Sequence, residues 1–159
     1  MLANELRETL QKVCAILNKN GVEYILVGGT AVGYYGYRRV SGITVIKPDM
    51  TTDLDFWYRP SLSNYQNILQ ALSELGVDIS SLADLIFDPK KTFLKISHTY
   101  FHMNFLPQMK GLASFEECKK RASEESLDGN RLYILSLSDL LENKKAVGRP
   151  SDQNDITNL

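Results

Sequence analysis

Two kinds of hydrophobic periodicity alternate along the chain and outline its elements. Apolar residues recur at helical spacing through residues 6–17, and Gly21 then favours a left-handed helix end, which predicts a first helix to about residue 19. The segment "SNYQNILQALSELG" predicts a second amphipathic helix, with Ser63 as its candidate cap and Gly76 as its stop.

Other segments are rich in β-branched and aromatic residues and predict strands. Two of them surround a predicted turn near His98, and a hairpin is predicted where Asp128-Gly129 forms the bend. The predicted strands are "VEYILVG" (22–28), "DLDFWY" (53–58), "TFLKIS" (92–97), "YFHMNFL" (100–106) and the two arms of "SLDGNRLYIL" (126–135).

Shorter helices are predicted between and after these strands. "SFEECKKRA" begins with a capping pattern in which Ser114 precedes Glu117 by three positions. The others are "TAVGYYG" (30–36), "SLADLIF" (81–87), "SLSDLLENKKAVG" (136–148) and "SDQNDITNL" (151–159), and residues 37–51 are predicted to be an excursion with a small strand at "ITVI". Because helices and strands interleave throughout, we expect an α/β or α+β fold, a small mixed sheet flanked by helices, in a single domain over residues 1–159.

Composition and charge narrow the class of protein. The chain has 159 residues, and its 18 Lys and Arg against 19 Asp and Glu leave almost no net charge to bind a nucleic acid unspecifically. Its two cysteines, Cys14 and Cys118, form no metal-binding or disulfide pattern. No segment has the apolar length of a membrane span or the form of a signal peptide, so a cytoplasmic protein is predicted.

The first candidate for chemistry is the pair of glycines in "EYILVGGTAVGYYGYRRV". A strand that turns through Gly28-Gly29 into a helix presents the first N–H groups of that helix, and the missing side chains allow a ligand to approach the backbone. The helix dipole and the Thr30 hydroxyl would add to the attraction for an anion. The alternative interpretation of the two glycines is a tight turn without a ligand.

The second candidate is "TTDLDFW". Side chains alternate along a strand, so Asp53 and Asp55 are predicted to share one face while Leu54 and Phe56 enter the core. Two neighbouring carboxylates repel each other unless a cation lies between them, and their hard oxygens suit Mg²⁺ or Mn²⁺. The alternative is the solvated outer face of an edge strand.

Together these motifs resemble those of a known superfamily. "GGT" at 28–30, "YGYRR" at 35–39 and "TTDLD" at 51–55 are similar to the signature of the DNA polymerase β-like nucleotidyltransferases. Within that superfamily the chain is nearest to small prokaryotic minimal nucleotidyltransferases related to AbiEii-type toxins. The tail "LSDLLENKKAVGRPSDQNDITNL" extends the resemblance to the C-terminus.

The resemblance implies a reaction and roles for residues. The G-G-T turn (Gly28, Gly29 and Thr30) is implied to hold the triphosphate of an NTP, and Asp53 and Asp55 are implied to be catalytic ligands of Mg²⁺ or Mn²⁺. The implied reaction transfers an NMP to a hydroxyl group on an acceptor, which the sequence leaves open as a protein, a tRNA end or a small molecule. The alternative to this reaction is an attenuated nucleotide-binding module, for example a regulatory component of a toxin–antitoxin pair with a cognate partner protein.

The chain departs from the superfamily pattern at two places. About ten extra residues, "SGITVIKPDM", separate Arg39 from Thr51, and they predict a longer loop beside the site. The third catalytic carboxylate is matched by Asn104, which carries no charge and is a poor base. His102 is predicted to share the strand face of Asn104 and is the candidate replacement base, the alternative being a half-buried structural imidazole.

Five cations are candidates for contact with a triphosphate: Arg38, Arg39, Lys144, Lys145 and Arg149. For the two lysines the alternative role is to complement the dipole at a helix end, whereas Arg149 is favoured by the resemblance. Because position 104 is Asn, two other functions stay open: an attenuated nucleotide-binding module, or an interaction protein that keeps only the scaffold.

Overall fold

The computed structural model describes residues 4–39, 52–98 and 101–148. Within these ranges the elements follow one another in the interleaved order that the periodicity predicts. They are α1 (Asn4–Lys19), β1 (Tyr24–Leu26), α2 (Gly28–Arg39), β2 (Thr52–Tyr58), α3 (Leu62–Glu74), α4 (Ser80–Ala83), β3 (Leu94–Ser97), β4 (Phe101–Leu106), α5 (Phe115–Arg121), β5 (Ser123–Leu127), β6 (Asn130–Ile134) and α6 (Leu137–Val147).

The strands form one six-stranded sheet in the order β3-β4-β2-β1-β6-β5. β2 lies between β1, to which it is antiparallel, and β4, to which it is parallel. β6 is parallel to β1, and each outer strand is antiparallel to its single neighbour. The predicted fold class, a small mixed sheet flanked by helices, is therefore confirmed.

The helix ends mostly follow the predicted signals, with two corrections. Helix α4 ends at Ala83, so the helix predicted over residues 81–87 is wrong beyond that residue. The cap of α3 is Ser61, whose Oγ accepts a hydrogen bond from the Asn64 backbone N–H at 3.2 Å; the prediction of Ser63 is wrong. Ser61 has the extended backbone that a cap requires, whereas Ser63 already lies inside the helix. The predicted cap of α5 is confirmed, since Ser114 Oγ accepts from the Glu117 N–H at 3.3 Å.

Two further predictions concern residues that the structure describes. The hairpin turns at Asp128 and Gly129, both with positive φ (50° and 86°), as an Asp-Gly hairpin turn requires. Residues 37–39 continue α2, so the predicted excursion does not begin at residue 37. The small strand predicted at "ITVI" and the helix predicted at 151–159 lie outside the described residues.

Aromatic rings of neighbouring strands pack together on one side of the sheet. Phe56 and Phe105, neighbours on β2 and β4, stack with ring centroids 5.0 Å apart, and the Tyr24 ring meets Phe56 edge-on at 5.5 Å. The Tyr24 hydroxyl donates to Asn18 Oδ1 of α1 at 3.0 Å. Helix α1 is joined to this side of the sheet by that hydrogen bond and by its fully buried Val13, Cys14 and Leu17.

The core buries thiol and phenol groups, which are weak acids. Their burial predicts that the folded protein is less stable at alkaline pH. Desolvation raises the pKa of Cys14 to about 12 and raises the pKa values of Tyr24 and Tyr58 above their usual range. A group with a raised folded-state pKa stabilises the protein fully below its unfolded pKa, and this contribution is lost as pH rises through the folded value. We expect the free energy of unfolding, measured in urea, to fall between about pH 9 and pH 12.

A Cys14→Ala variant provides the control, because it should lose the part of this pH dependence that begins nearest pH 9. An unfolding free energy that stays constant from pH 8 to pH 11 would contradict the prediction.

Among the described residues, no helix combines the length and apolar character needed to cross a membrane.

Candidate functional site

The candidate site begins where β1 passes into α2. Gly28 has φ +58°, a left-handed conformation that side chains disfavour, and a Cβ atom there would lie only 2.7 Å from Asp55 Oδ2. At Gly29 an added Cβ would lie at an ordinary 3.6 Å from the same oxygen. Of the two glycines, Gly28 is thus the one that this turn requires.

The carboxylate of Asp55 is bound by two protein donors. Its Oδ2 accepts a hydrogen bond from the Gly29 N–H at the start of α2 (3.0 Å), and its Oδ1 accepts one from Asn104 Nδ2 (3.0 Å). A negative charge at this position is stabilised by the positive end of the helix dipole. The structure therefore brings the acidic strand and the glycine turn together at contact distance.

Thr30 connects the same two elements through its side chain. The hydroxyl accepts from the Asp55 backbone N–H at 3.2 Å and donates to the Asp53 carbonyl oxygen at 3.4 Å. Thr30 is buried, whereas Gly29 is exposed. In this conformation the Thr30 hydroxyl fastens α2 to β2, and the backbone of Gly29 is the more accessible part of the turn.

Asp53 and Asp55 share one side of β2, as the alternation predicts. Leu54 and Phe56, which point to the opposite side, are fully buried, while Asp53 is exposed and Asp55 half-buried. The pair therefore lies on an accessible part of the sheet and not in its core.

The strand register extends this polar surface over two neighbouring strands. Asp53 pairs with His102 and Asp55 with Asn104, and directly opposed residues of a sheet present their side chains on the same side. On β3 the partners of His102 and Asn104 are Ser97 and Lys95, both exposed. Two polar rows, Asp53–His102–Ser97 and Asp55–Asn104–Lys95, thus cross β2, β4 and β3.

Ser97 and Lys95 are members of this surface that sequence reasoning missed. Alternation in "TFLKIS" places them on the exposed side of their strand, but only the register brings them beside His102 and Asn104. Ser97 Oγ lies 3.1 Å from His102 Nδ1, which fixes the orientation of the imidazole ring. No sequence signal pairs these two side chains.

The chain is similar to known proteins in its three-dimensional structure. No protein-family model and no curated protein matches the sequence. A crystal structure of the "putative nucleotidyltransferase" TM1012 from Thermotoga maritima is similar over 99% of this chain and 93% of its own, with TM-score 0.64 and 16% identity. The lincosamide antibiotic adenylyltransferase LnuA with bound lincomycin is similar over 95% of this chain and 94% of its own, with TM-score 0.59 and 15% identity.

The chain has a nucleotidyltransferase-like fold. At these identities the similarity concerns the fold alone, and the resemblance to AbiEii-type toxins stays a prediction.

Of the predicted cations, Lys144 and Lys145 on α6 have side chains that the structure describes. Lys145 is exposed and lies 3.9 Å from Glu142 on its own helix, and Lys144 is buried. Arg39 ends α2, but its side chain is outside what the structure describes, as is all of Arg149. Contact of these residues with a triphosphate therefore stays a prediction.

The oxygen donors present fit a divalent cation only in part. Asp53 and Asp55 supply carboxylates of the kind that Mg²⁺ and Mn²⁺ prefer. Asn104 instead turns an N–H donor towards Asp55. The part of the chain described here contains no group of three or more His, Cys, Asp or Glu side chains able to hold a metal. The nucleotidyltransferase-like fold thus offers two carboxylates, and further ligands would come from phosphate oxygens or water.

A cleft lies towards the C-terminal end of β2, beyond the acidic pair. It measures about 700 Å³ and is lined by residues that include Trp57, Arg59, Met109 and Phe115. Trp57 lies near the end of β2 and Arg59 directly follows that strand, whereas Asp53 and Asp55 precede them on it. Arg59 in this cleft is already paired with Glu23 and Glu116, at 2.6 Å each.

Proposed function

We propose that this protein is a nucleotidyltransferase that binds an NTP with Mg²⁺ or Mn²⁺ and transfers the NMP to a hydroxyl group of an acceptor. The observation that carries the proposal is the 3.0 Å contact between the Gly29 N–H and Asp55 Oδ2, because it joins a helix start suited to phosphate with a carboxylate pair suited to a cation. The similarity in fold to TM1012 and LnuA supports the same reaction class.

In the proposed mechanism each group has a defined task. The start of α2 presents backbone N–H groups and its positive dipole end to the phosphate oxygens. Asp53 and Asp55 would hold a divalent cation, which when bound supplies neutralisation of the phosphate charge. The acceptor oxygen forms a bond to the α-phosphorus in line while the bond from that phosphorus to the pyrophosphate oxygen breaks.

The acceptor hydroxyl also loses a proton. His102 is the candidate to receive it, because it lies next to Asp53 across the β2–β4 pair and Ser97 fixes its ring through Nδ1. The Asn104 amide is unsuited to this role. This assignment deepens the sequence-based interpretation of His102 and is tested by transfer activity in a His102→Gln variant.

The acceptor is a protein, a tRNA end or a small molecule. LnuA is a lincosamide adenylyltransferase, so small hydroxyl-bearing molecules are the first acceptors to test. A cognate partner protein in a toxin–antitoxin pair is a further possibility that follows from the sequence resemblance.

The second candidate function is a nucleotide-binding module without efficient catalysis. Asn104 favours it, since its side chain occupies the position opposite Asp55 where the superfamily resemblance places a carboxylate. With the charge missing, a cation next to the acceptor oxygen would be held weakly. Such a protein would act through binding, for example as a regulatory partner.

A labelling experiment separates the two candidates. The protein is incubated with each α-³²P-labelled NTP, Mg²⁺ or Mn²⁺, and either cell extract or a panel of small alcohols, and labelled products are resolved by electrophoresis and chromatography. We expect transfer by the wild-type protein with at least one NTP. Transfer that appears only in the Asn104→Asp variant would support the attenuated module.

Thermal unfolding with each NTP and Mg²⁺ tests the common basis of both candidates. Binding at 100 times Kd raises the unfolding free energy by about 2.7 kcal/mol, which is measurable as a higher Tm. Absence of any labelled product and of any Tm shift with all four NTPs would reject both functions and leave a scaffold protein.

A further inference from the structure

Asn104 is the residue that most clearly separates this chain from the pattern it resembles, and its contact defines a role. Its Nδ2 lies 3.0 Å from Asp55 Oδ1, and the other carboxylate oxygen accepts from Gly29. The opposite orientation of the amide would bring its oxygen against a carboxylate oxygen, which is repulsive. The Asn104 side chain therefore acts as a donor to Asp55.

A donor in this place has an effect that a carboxylate would not have. A carboxylate at residue 104 would repel Asp55 at this distance, whereas the amide stabilises Asp55 where it lies. In this position Asp55 uses the Gly29 N–H, one of the groups that a phosphate oxygen would otherwise meet. The negative charge of Asp55 also opposes the approach of a second anion.

We propose that Asn104 is a positioning residue that holds the Asp55 carboxylate on the start of α2 in the nucleotide-free protein, and that it does not serve as a metal ligand. Phosphate then binds at this turn when Asp55 moves from Gly29 towards a cation that accompanies the phosphate. This inference rests on the proposed function. It specifies how the Asp55 carboxylate occupies the phosphate-binding turn before the nucleotide enters.

A positioning role and a metal-ligand role of Asn104 predict opposite changes in the affinity for phosphate when its side chain is removed. Removing the Asn104 donor lowers the energy needed to move Asp55, so Mn²⁺–tripolyphosphate should bind more tightly, by about 2–10-fold for one hydrogen bond of ordinary strength. Removal of a metal-supporting residue would instead weaken binding, typically by about 10–100-fold.

The variants Asn104→Ala and Asn104→Leu test this prediction by isothermal titration calorimetry with Mn²⁺–tripolyphosphate, a probe that requires no turnover. Leu has the same number of side-chain non-hydrogen atoms as Asn in the same branched arrangement, so agreement between the two variants separates the lost donor from a lost volume. Asn20→Ala, which removes an amide donor to the Glu74 carboxylate (3.2 Å) away from this polar surface, is the matched control and should bind like the wild type. Circular dichroism verifies that each variant is folded.

A second experiment tests whether Asp55 occupies the turn. Tripolyphosphate is titrated in the presence of a chelator into Asp55→Ala and Asp53→Ala, which remove the same charge from the same face. Only Asp55 touches the Gly29 N–H, so Asp55→Ala should bind the free anion at least about fivefold more tightly than Asp53→Ala, as expected for one released backbone donor. Equal gains in both variants would overturn the proposal.

The failures of the two proposals are distinguishable. Binding of Mn²⁺–tripolyphosphate to the wild type together with weaker binding to both Asn104 variants would overturn the positioning role and leave the nucleotidyltransferase proposal standing. Absence of binding to the wild type and to every variant at millimolar concentrations would overturn both.

Discussion

The Asp53→Ala/Asp55→Ala variant is expected to transfer nucleotide at least about 1000-fold more slowly than the wild-type protein. Two carboxylates that hold a cation against a polyphosphate act on the charge that develops during transfer, and removing such stabilisation commonly lowers rates by about three orders of magnitude. The fold should persist, because Asp53 is exposed and Asp55 half-buried, and Leu54 and Phe56 keep β2 anchored in the core.

The measurement is the initial rate of label transfer with the NTP and acceptor found for the wild type. A matched control is Glu8→Ala/Asp84→Ala, which removes two negative charges from exposed positions on α1 and after α4. This control should retain the wild-type rate. Transfer by the double aspartate variant at more than a tenth of the wild-type rate would contradict a role for the pair in catalysis.

The Gly28→Ala variant is expected to lose stability, and to lose nucleotide binding because its methyl group covers the bare backbone that a phosphate would approach. A left-handed alanine costs about 1–2 kcal/mol, and the new Cβ atom, 2.7 Å from Asp55 Oδ2, would force the carboxylate away from its two donors. Loss of those hydrogen bonds brings the expected decrease in unfolding free energy to about 2–4 kcal/mol. Urea unfolding and NTP-dependent Tm shifts measure the two effects.

The adjacent glycine provides the control for Gly28→Ala. Gly29→Ala adds the same methyl group one residue later, where an ordinary 3.6 Å separates the Cβ position from Asp55 Oδ2, and should change the unfolding free energy by less than about 1 kcal/mol. In a Gly28→Ala/Asp55→Ala double variant the steric conflict is absent, so the two losses of stability should not add. Equal destabilisation by both glycine variants would contradict the explanation.

Local sequence signals were sufficient for much of the fold. The Asp128-Gly129 turn, the Ser114 cap and the change of periodicity at β2 depend on interactions within a few residues, and the structure confirms each of them. The cap of α3 was assigned wrongly because Ser61 and Ser63 both satisfy the local pattern, and the extended backbone at Ser61 decides between them.

Local rules predicted the acidic pair and the glycine turn, and the family resemblance indicated Asn104 and His102 as their neighbours. Strand alternation placed Asp53 and Asp55 on one face, and the glycine turn marked the start of α2. The contact of Asn104 with Asp55 depends on the register between β2 and β4, which are 49 residues apart at this pair. Register of a parallel pair is set by packing of the whole sheet, so neither this contact nor the polar rows could be derived from spacing along the chain.

The position of β2 between β1 and β4 has a consequence for how such a protein diversifies. Hydrogen bonding along both sides of the strand holds its acidic residues in register with His102 and Asn104. The outer strand β5 is separated from β2 by β1 and β6, so new surface chemistry at that margin would leave the acidic residues in place.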